Sequence, residues 1–222
     1  MDVGLSMKIE RKHLLETGPI LIMIVMFSVG IVSHNFDMTM PIMKVLTGPF
    51  LILMSAMVIS TSYRGDRGKY LIWIGVAYLI TYLLEVLGAA TGLVFGDYSY
   101  GGGLGLKLFG VPLIIGLNWV MVVLGAYLLV GLITDKVPVR IAGTAFLAVL
   151  FDWIMEPVAM ELDYWDWAGG TIPVQNYVAW FIIALGMAVS LYLIKPRVRS
   201  KVLSVYFLIQ VVFFASLRLT LL

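Results

Sequence analysis

Seven apolar runs, each about 20 residues long and joined by short connections, dominate this 222-residue chain. They fall at about 18–36, 41–61, 70–92, 110–133, 140–160, 176–194 and 201–221. As a helix, about 20 residues cross the ~30 Å hydrocarbon layer of a bilayer. Lipid offers no partner for backbone polar groups, so a spanning segment must satisfy its own, and a helix does. The pattern predicts an all-α polytopic transmembrane bundle of about seven helices, forming one domain over residues 1–222. Composition agrees: 61% of residues are hydrophobic and 13% charged, too little polar surface to coat a water-soluble globule. The first run follows Lys8, Arg11 and Lys12, exceeds a signal-peptide core in length and has no small-residue cleavage site, so it is expected to stay in the protein.

Charge sets the expected orientation. If seven helices alternate, Lys8, Arg11, Lys12, Arg64, Arg67, Lys69, Lys136, Arg140, Lys195, Arg197, Arg199 and Lys201 share one side, leaving Lys44, Lys107 and Arg218 for the other. The positive-inside rule then puts the N-terminus in the cytoplasm and the C-terminus outside, in a multi-pass protein of the cell membrane. Asp37, Asp97, Glu161, Asp163 and Asp166 fall in outer loops, with Glu85, Asp152 and Glu156 inside helices near their outer ends. Any chemistry is expected in the outer half.

Several function classes drop out. With no cysteine, the chain has no disulfide, thiolate metal site or thiol nucleophile. Only His13 and His34 are available as imidazoles, too few for a membrane oxygenase iron centre. A net charge of +2, with the bases in short loops, gives no reason to expect nucleic acid. Gly101-Gly102-Gly103-Leu104-Gly105 follows no nucleotide-binding strand and reads as an ordered or re-entrant loop, so a cofactor-free, metal-free reaction is expected. A retinal-binding protein would need a lysine deep in the last helix, where the only one, Lys201, stands at its start.

Intramembrane carboxyl groups are costly, about 2.5–3.5 kcal/mol at mid-helix on insertion scales, and mark candidate sites. Glu85 lies ~22 Å across the layer from the start of its helix. Asp152 and Glu156 are four residues apart and therefore lie on one helix face, one turn from each other. Two carboxyls that close in a low dielectric do not both ionise cheaply, so one is expected to keep its proton and serve as a donor. Pro157 suggests a kink or helix end just after them. Asn118 lies at a depth like that of Glu85, placed either to orient water or to bond another helix. His34 reads as an interfacial polar residue. Arg218 either snorkels to the surface or pairs with an acid. Tyr98, Tyr100, Trp165, Trp167, Tyr177 and Trp180 gather on the outer side, which suits an interfacial aromatic belt and equally a pocket whose π faces stabilise a cation.

Specific strings carry a resemblance. They are Glu85, Gly88 and Thr91-Gly92 leading to Phe95-Gly96-Asp97-Tyr98-Ser99-Tyr100, then Gly110-Val111-Pro112 through Asn118-Trp119. Next come Asp152-Trp153-Ile154-Met155-Glu156-Pro157-Val158-Ala159, and Trp165-Asp166-Trp167 followed by Ile172-Pro173 and Asn176-Tyr177. From about residue 83 to 180 the chain resembles the membrane carotenoid-biosynthesis hydratases, the family of the bisanhydrobacterioruberin and end-group hydratases. Val94 stands where that pattern has proline. The resemblance implies addition of water across the terminal double bond of an acyclic carotenoid ψ end, lycopene-like or fifty-carbon, in a protein embedded in membrane lipid.

The residues suit that reaction: a buried neutral carboxyl protonates the alkene, and aromatic faces and a carboxylate stabilise the tertiary cation that water captures. Asp152 or Glu85 is the expected acid, with the other, Glu156 and Asn118 handling water. Asp97, Tyr98, Trp119, Trp167, Asn176, Tyr177 and Trp180 are expected to bind the substrate. A cofactor-free end-group cyclase or isomerase would begin with the same protonation, and a non-catalytic carotenoid or lipid carrier or transporter would use membrane acids differently.

Overall fold

The computed structural model describes residues 3–63, 67–196, 198 and 201–222, with side chains from residue 16 onward. Among the described residues, seven helices run in chain order: α1 (Val3–His34), α2 (Met40–Ser62), α3 (Arg67–Thr91), α4 (Ile114–Val130), α5 (Val137–Glu161), α6 (Val174–Ile194) and α7 (Lys201–Leu221). Six are long and apolar enough to cross a bilayer, with α1 contributing Glu16–His34. The chain is an all-α membrane bundle. Helix starts follow the expected chemistry. Proline occupies the first turn of α2 and α5, where its missing N–H has no helical partner to lose. Lys195 closes α6 in the left-handed conformation just ahead of Pro196.

The fourth helix is shorter than the hydropathy run at 110–133 predicts. Residues 107–112 instead form a hairpin, β2 (Lys107–Leu108) against β3 (Val111–Pro112). Its turn residues Phe109 and Gly110 both have positive φ, 52° and 81°, the geometry of a tight two-residue hairpin. The Tyr82 hydroxyl pins this hairpin by donating to the Leu108 and Val111 carbonyls at 2.7 and 3.0 Å. At 17 residues, α4 is the centre of the bundle, buried on almost every face and touching α2, α3, α5, α6 and α7. Glycines admit its neighbours: a Cβ on Gly116 would lie 2.9 Å from the Tyr78 carbonyl of α3, and one on Gly125 would lie 2.6 Å from the Phe207 Cβ of α7. Small residues at such crossings let helix backbones approach closely.

A bridge between Tyr63 and Val198 ties the α2–α3 and α6–α7 connections together at one end. At the other end β1 (Tyr98–Tyr100) pairs antiparallel with β4 (Trp165–Trp167), joining the α3–α4 and α5–α6 connections. The Gly-rich stretch follows β1 directly. Gly101 donates its N–H to the Tyr164 carbonyl at 2.9 Å, and a side chain there would collide with the Asp163 backbone. Arg67, Lys69, Lys136, Arg140, Lys195 and Lys201 all fall at the Tyr63–Val198 end or beside it. Lys8, Arg11, Lys12, His13, Arg64, Arg197 and Arg199 lie outside the residues whose side chains are described.

Pro157 neither ends nor interrupts α5, which continues to Glu161. A proline within a helix leaves the carbonyl four residues earlier without its N–H donor. That carbonyl belongs to Trp153, and Arg218 of α7 donates Nη1 to it at 2.8 Å while its guanidinium lies 4.3 Å from the Trp153 ring centroid. Arg218 therefore serves the proline gap of α5 instead of pairing with an acid.

Candidate active site

The β1–β4 pair is the device that assembles the site. Successive strand residues point to opposite faces, so Tyr98, Tyr100, Trp165 and Trp167 turn inward while Ser99 and Asp166 face out. The register sets Tyr98 opposite Trp167 and Tyr100 opposite Trp165. Four aromatic donors thereby hang over the ends of α3 and α5, where the acids are.

Glu85 of α3 accepts three hydrogen bonds. Tyr98 and Tyr100 donate their hydroxyls to Oε2 at 2.6 and 2.7 Å, and Trp119 of α4 donates Nε1–H to Oε1 at 2.7 Å. Glu156 of α5 also accepts three: Trp165 and Trp167 donate to Oε2 at 2.9 and 2.7 Å, and the Asn176 amide donates to Oε1 at 3.4 Å. Asp152, one turn before Glu156 and fully buried, receives a single donor, the Asn176 amide at 2.7 Å on Oδ2. Its Oδ1 is buried with no donor among the described residues, and its carboxyl lies against that of Glu156. Burial and the neighbouring Glu85 push the Tyr98 and Tyr100 phenols well above their ordinary value, so both stay protonated donors.

The three carboxyls surround one small cavity, about 30 Å³, enough for water-sized groups. Aromatic rings form its walls. Trp119 stacks on Trp180 with centroids 3.7 Å apart, and Trp167 lies 5.0 Å from Tyr98. Phe95 closes another side. Gly88 makes room for this ring, since a Cβ there would lie 2.6 Å from Phe95.

The family model for carotenoid biosynthesis proteins matches residues 46–221, most of the chain and all of this pocket. The chain belongs to this family. Among curated relatives, this carotenoid biosynthesis protein is 32% identical to the bisanhydrobacterioruberin hydratase of Haloarcula japonica over 112 residues, covering 47% of the chain and 38% of that protein. The match thus spans well under half of the relative's length. No solved structure matches the chain.

Of the residues singled out from sequence, Glu85, Asp152, Glu156, Asn118, Tyr98, Trp119, Trp167, Asn176 and Trp180 all line the cavity. Asp97 does not: its side chain is exposed, and its carbonyl takes the Ala168 N–H at 2.9 Å beyond the end of the strand pair. Tyr177 is half-buried beside Asn176 and outside the lining. His34, the last residue of α1, is buried within the protein with 3% of its surface exposed and lies outside this lining. Phe95, Tyr100 and Trp165 join the lining as well; Tyr100 and Trp165 belong to the aromatic group read from sequence as a belt or a pocket, whereas Phe95 does not. The alternation in Tyr-Ser-Tyr and Trp-Asp-Trp is the signal that identifies Tyr100 and Trp165, because on two paired strands every second residue faces the pocket.

Proposed function

We propose that this membrane protein is a carotenoid hydratase that adds water across the terminal trisubstituted double bond of an acyclic carotenoid ψ end, with Asp152 as the acid. The observation that carries this reading is the unequal distribution of donors over three buried carboxyls. Glu85 and Glu156 each accept three hydrogen bonds, the environment of a carboxylate, whereas Asp152 has one donor, lies against Glu156, and keeps a buried oxygen with no donor among the described residues. Asp152 is the group suited to hold a proton and deliver it.

The steps follow from that. The Asp152 O–H gives its proton to the less substituted alkene carbon, the π pair forms the new C–H bond, and a tertiary cation is left on the other carbon. The faces of Trp119, Trp180 and Tyr98 and the Glu85 carboxylate stabilise this cation through fixed charges that need no reorganisation. Water held by Glu156, Asn176 and Asn118 forms the C–O bond and loses a proton to Glu156, which returns it to Asp152. One water is consumed and the acid is restored. The scheme requires no cofactor. A water-sized space beside the acids favours capture by water over the cyclase alternative, in which an internal double bond must fold onto the cation.

The site's place near the outer membrane surface, with the N-terminus cytoplasmic, is part of this proposal and rests on the distribution of basic residues. The test is to supply an acyclic carotenoid, forty- or fifty-carbon, to membranes containing the protein in heavy-oxygen water. The expected product gains the mass of one labelled water per hydrated end. A product of unchanged mass with a new end group would replace hydration by cyclisation, and unaltered carotenoid of both lengths would refute the catalytic reading.

A further inference from the structure

The acid cavity meets a second, much larger one at Ile115, Asn118, Met155 and Trp165, which line both. This second cavity, about 330 Å³, lies between α1, α2 and α7 and is almost wholly apolar. It extends along α1 from Met26 to His34 and along α2 from Met43 to Leu53, roughly 12–15 Å at the helical rise. Its rim is open to the lipid face: Met26, Val29, Leu46 and Leu53 line it and are 42–63% exposed.

Of the polar side chains in this wall, His34 and Gln210 each carry one atom without a partner among the described residues. His34 shares its Nδ1 hydrogen with the Gly30 carbonyl at 2.7 Å, which leaves Nε2 as an acceptor. Gln210 donates its amide to Asn118 at 3.4 Å, which leaves Oε1 as an acceptor. Both free atoms are buried, in residues only 3% and 1% exposed. A buried acceptor without a donor is costly, and two lining residues that each carry one suit a ligand that brings an O–H group.

The geometry points to this groove as the compartment that takes the isoprenoid chain of an acyclic carotenoid laterally from the bilayer, with His34 and Gln210 accepting the hydroxyl of a hydrated end. The inference rests on the hydratase reading for the identity of the chain. Its length suits a stretch of isoprenoid chain, with the remainder of the molecule in lipid, and its inner wall delivers the chain end to the acids. A tertiary alcohol is what hydration makes, so the same acceptors would hold product on its way out.

The test measures binding without turnover, in Asp152→Asn protein, by quenching of tryptophan fluorescence with an acyclic carotenoid hydrocarbon and with its tertiary alcohol. Filling the rim with Leu46→Phe and Leu53→Phe together should weaken both ligands at least tenfold, while Ile182→Phe, on the exposed face of α6, should weaken neither. His34→Phe, which keeps a ring against Phe213 (5.7 Å between centroids), and Gln210→Met should each weaken the alcohol about three- to tenfold and spare the hydrocarbon. Unchanged binding in the rim variant would overturn the groove. Equal loss of both ligands in the His34 and Gln210 variants would overturn the hydroxyl assignment and give those acceptors to water. Failure of the hydratase reading is separate: unmutated protein would then add no water while the rim variant still lost the chain.

Discussion

Replacing Asp152 by asparagine separates catalysis from folding. The two side chains have the same shape. The asparagine carbonyl can keep the Asn176 hydrogen bond now made to Oδ2, and its NH2 falls where Oδ1 has no partner. One unpaired buried group is exchanged for another, so stability should change by no more than about 1 kcal/mol. An amide cannot protonate an alkene. A positioned general acid contributes about 10²–10⁴ in rate, which at about 1.36 kcal/mol per tenfold is roughly 3–5 kcal/mol of barrier. Hydration should therefore fall at least a hundredfold in protein that melts almost where the unmutated one does.

Glu156→Gln supplies the contrast. The Glu156 Oε2 takes two tryptophan N–H groups and Oε1 takes the Asn176 amide. Either orientation of a glutamine turns its own NH2 against a donor, so this variant should lose about 1–3 kcal/mol of stability along with activity. The assay is product formation by mass spectrometry, normalised to folded protein, beside thermal unfolding in detergent. The assignment of the acid is refuted if Asp152→Asn keeps more than a tenth of the unmutated rate, or if its activity falls only as far as its folded fraction.

Gly125→Ala should destabilise by about 1–3 kcal/mol, measured by thermal unfolding, because its Cβ would meet the Phe207 Cβ and the Leu203 carbonyl at 2.6 and 3.0 Å. Arg218→Met should lower the unfolding temperature by leaving the Trp153 carbonyl unpartnered, and adding Pro157→Ala should recover most of that loss by restoring the helical N–H; additive effects in the double variant would refute the link. A single cysteine in this cysteine-free chain reports orientation: Ser99→Cys should react with a membrane-impermeant maleimide from outside intact cells and Asp135→Cys only after lysis. Stability should fall as pH rises beyond about 10. There the unfolded chain's phenols ionise while Tyr98 and Tyr100, raised by burial and by Glu85, keep their protons, so the folded state binds more protons and loses ground; a flat alkaline unfolding profile would refute this.

The helical bundle was legible because lipid leaves so few alternatives: each apolar run had to be a helix, and lengths near 20 residues fixed their number. The carboxyls were legible for a related reason, since Glu85, Asp152 and Glu156 are too costly in a bilayer to be incidental. What hydropathy could not resolve is any segment whose apolar residues serve another geometry. Gly110 to Leu113 reads as the start of a helix, yet Phe109 and Gly110 make the turn of a hairpin there. The Arg218–Trp153 contact was equally hidden, because it depends on a backbone carbonyl that only the position of Pro157 sets free.

The strand pair also explains why so many hydrogen bonds converge on the two glutamates that flank the proposed acid. Glu85 and Glu156 sit in a low-dielectric site, where an unpaired carboxylate would cost several kcal/mol. Three donors on each, at about 1.5–3 kcal/mol for a bond to a charged group, offset that cost. The donors come from β1, β4, α4 and α6, so holding the two carboxyl groups also locks the connections at this end of the bundle to its centre. Asp152 receives only the amide already shared with Glu156. In the proposed scheme Asp152 gives up its proton and regains it through Glu156, and this chain directs its aromatic donors to the two glutamates flanking Asp152 and not to Asp152 itself.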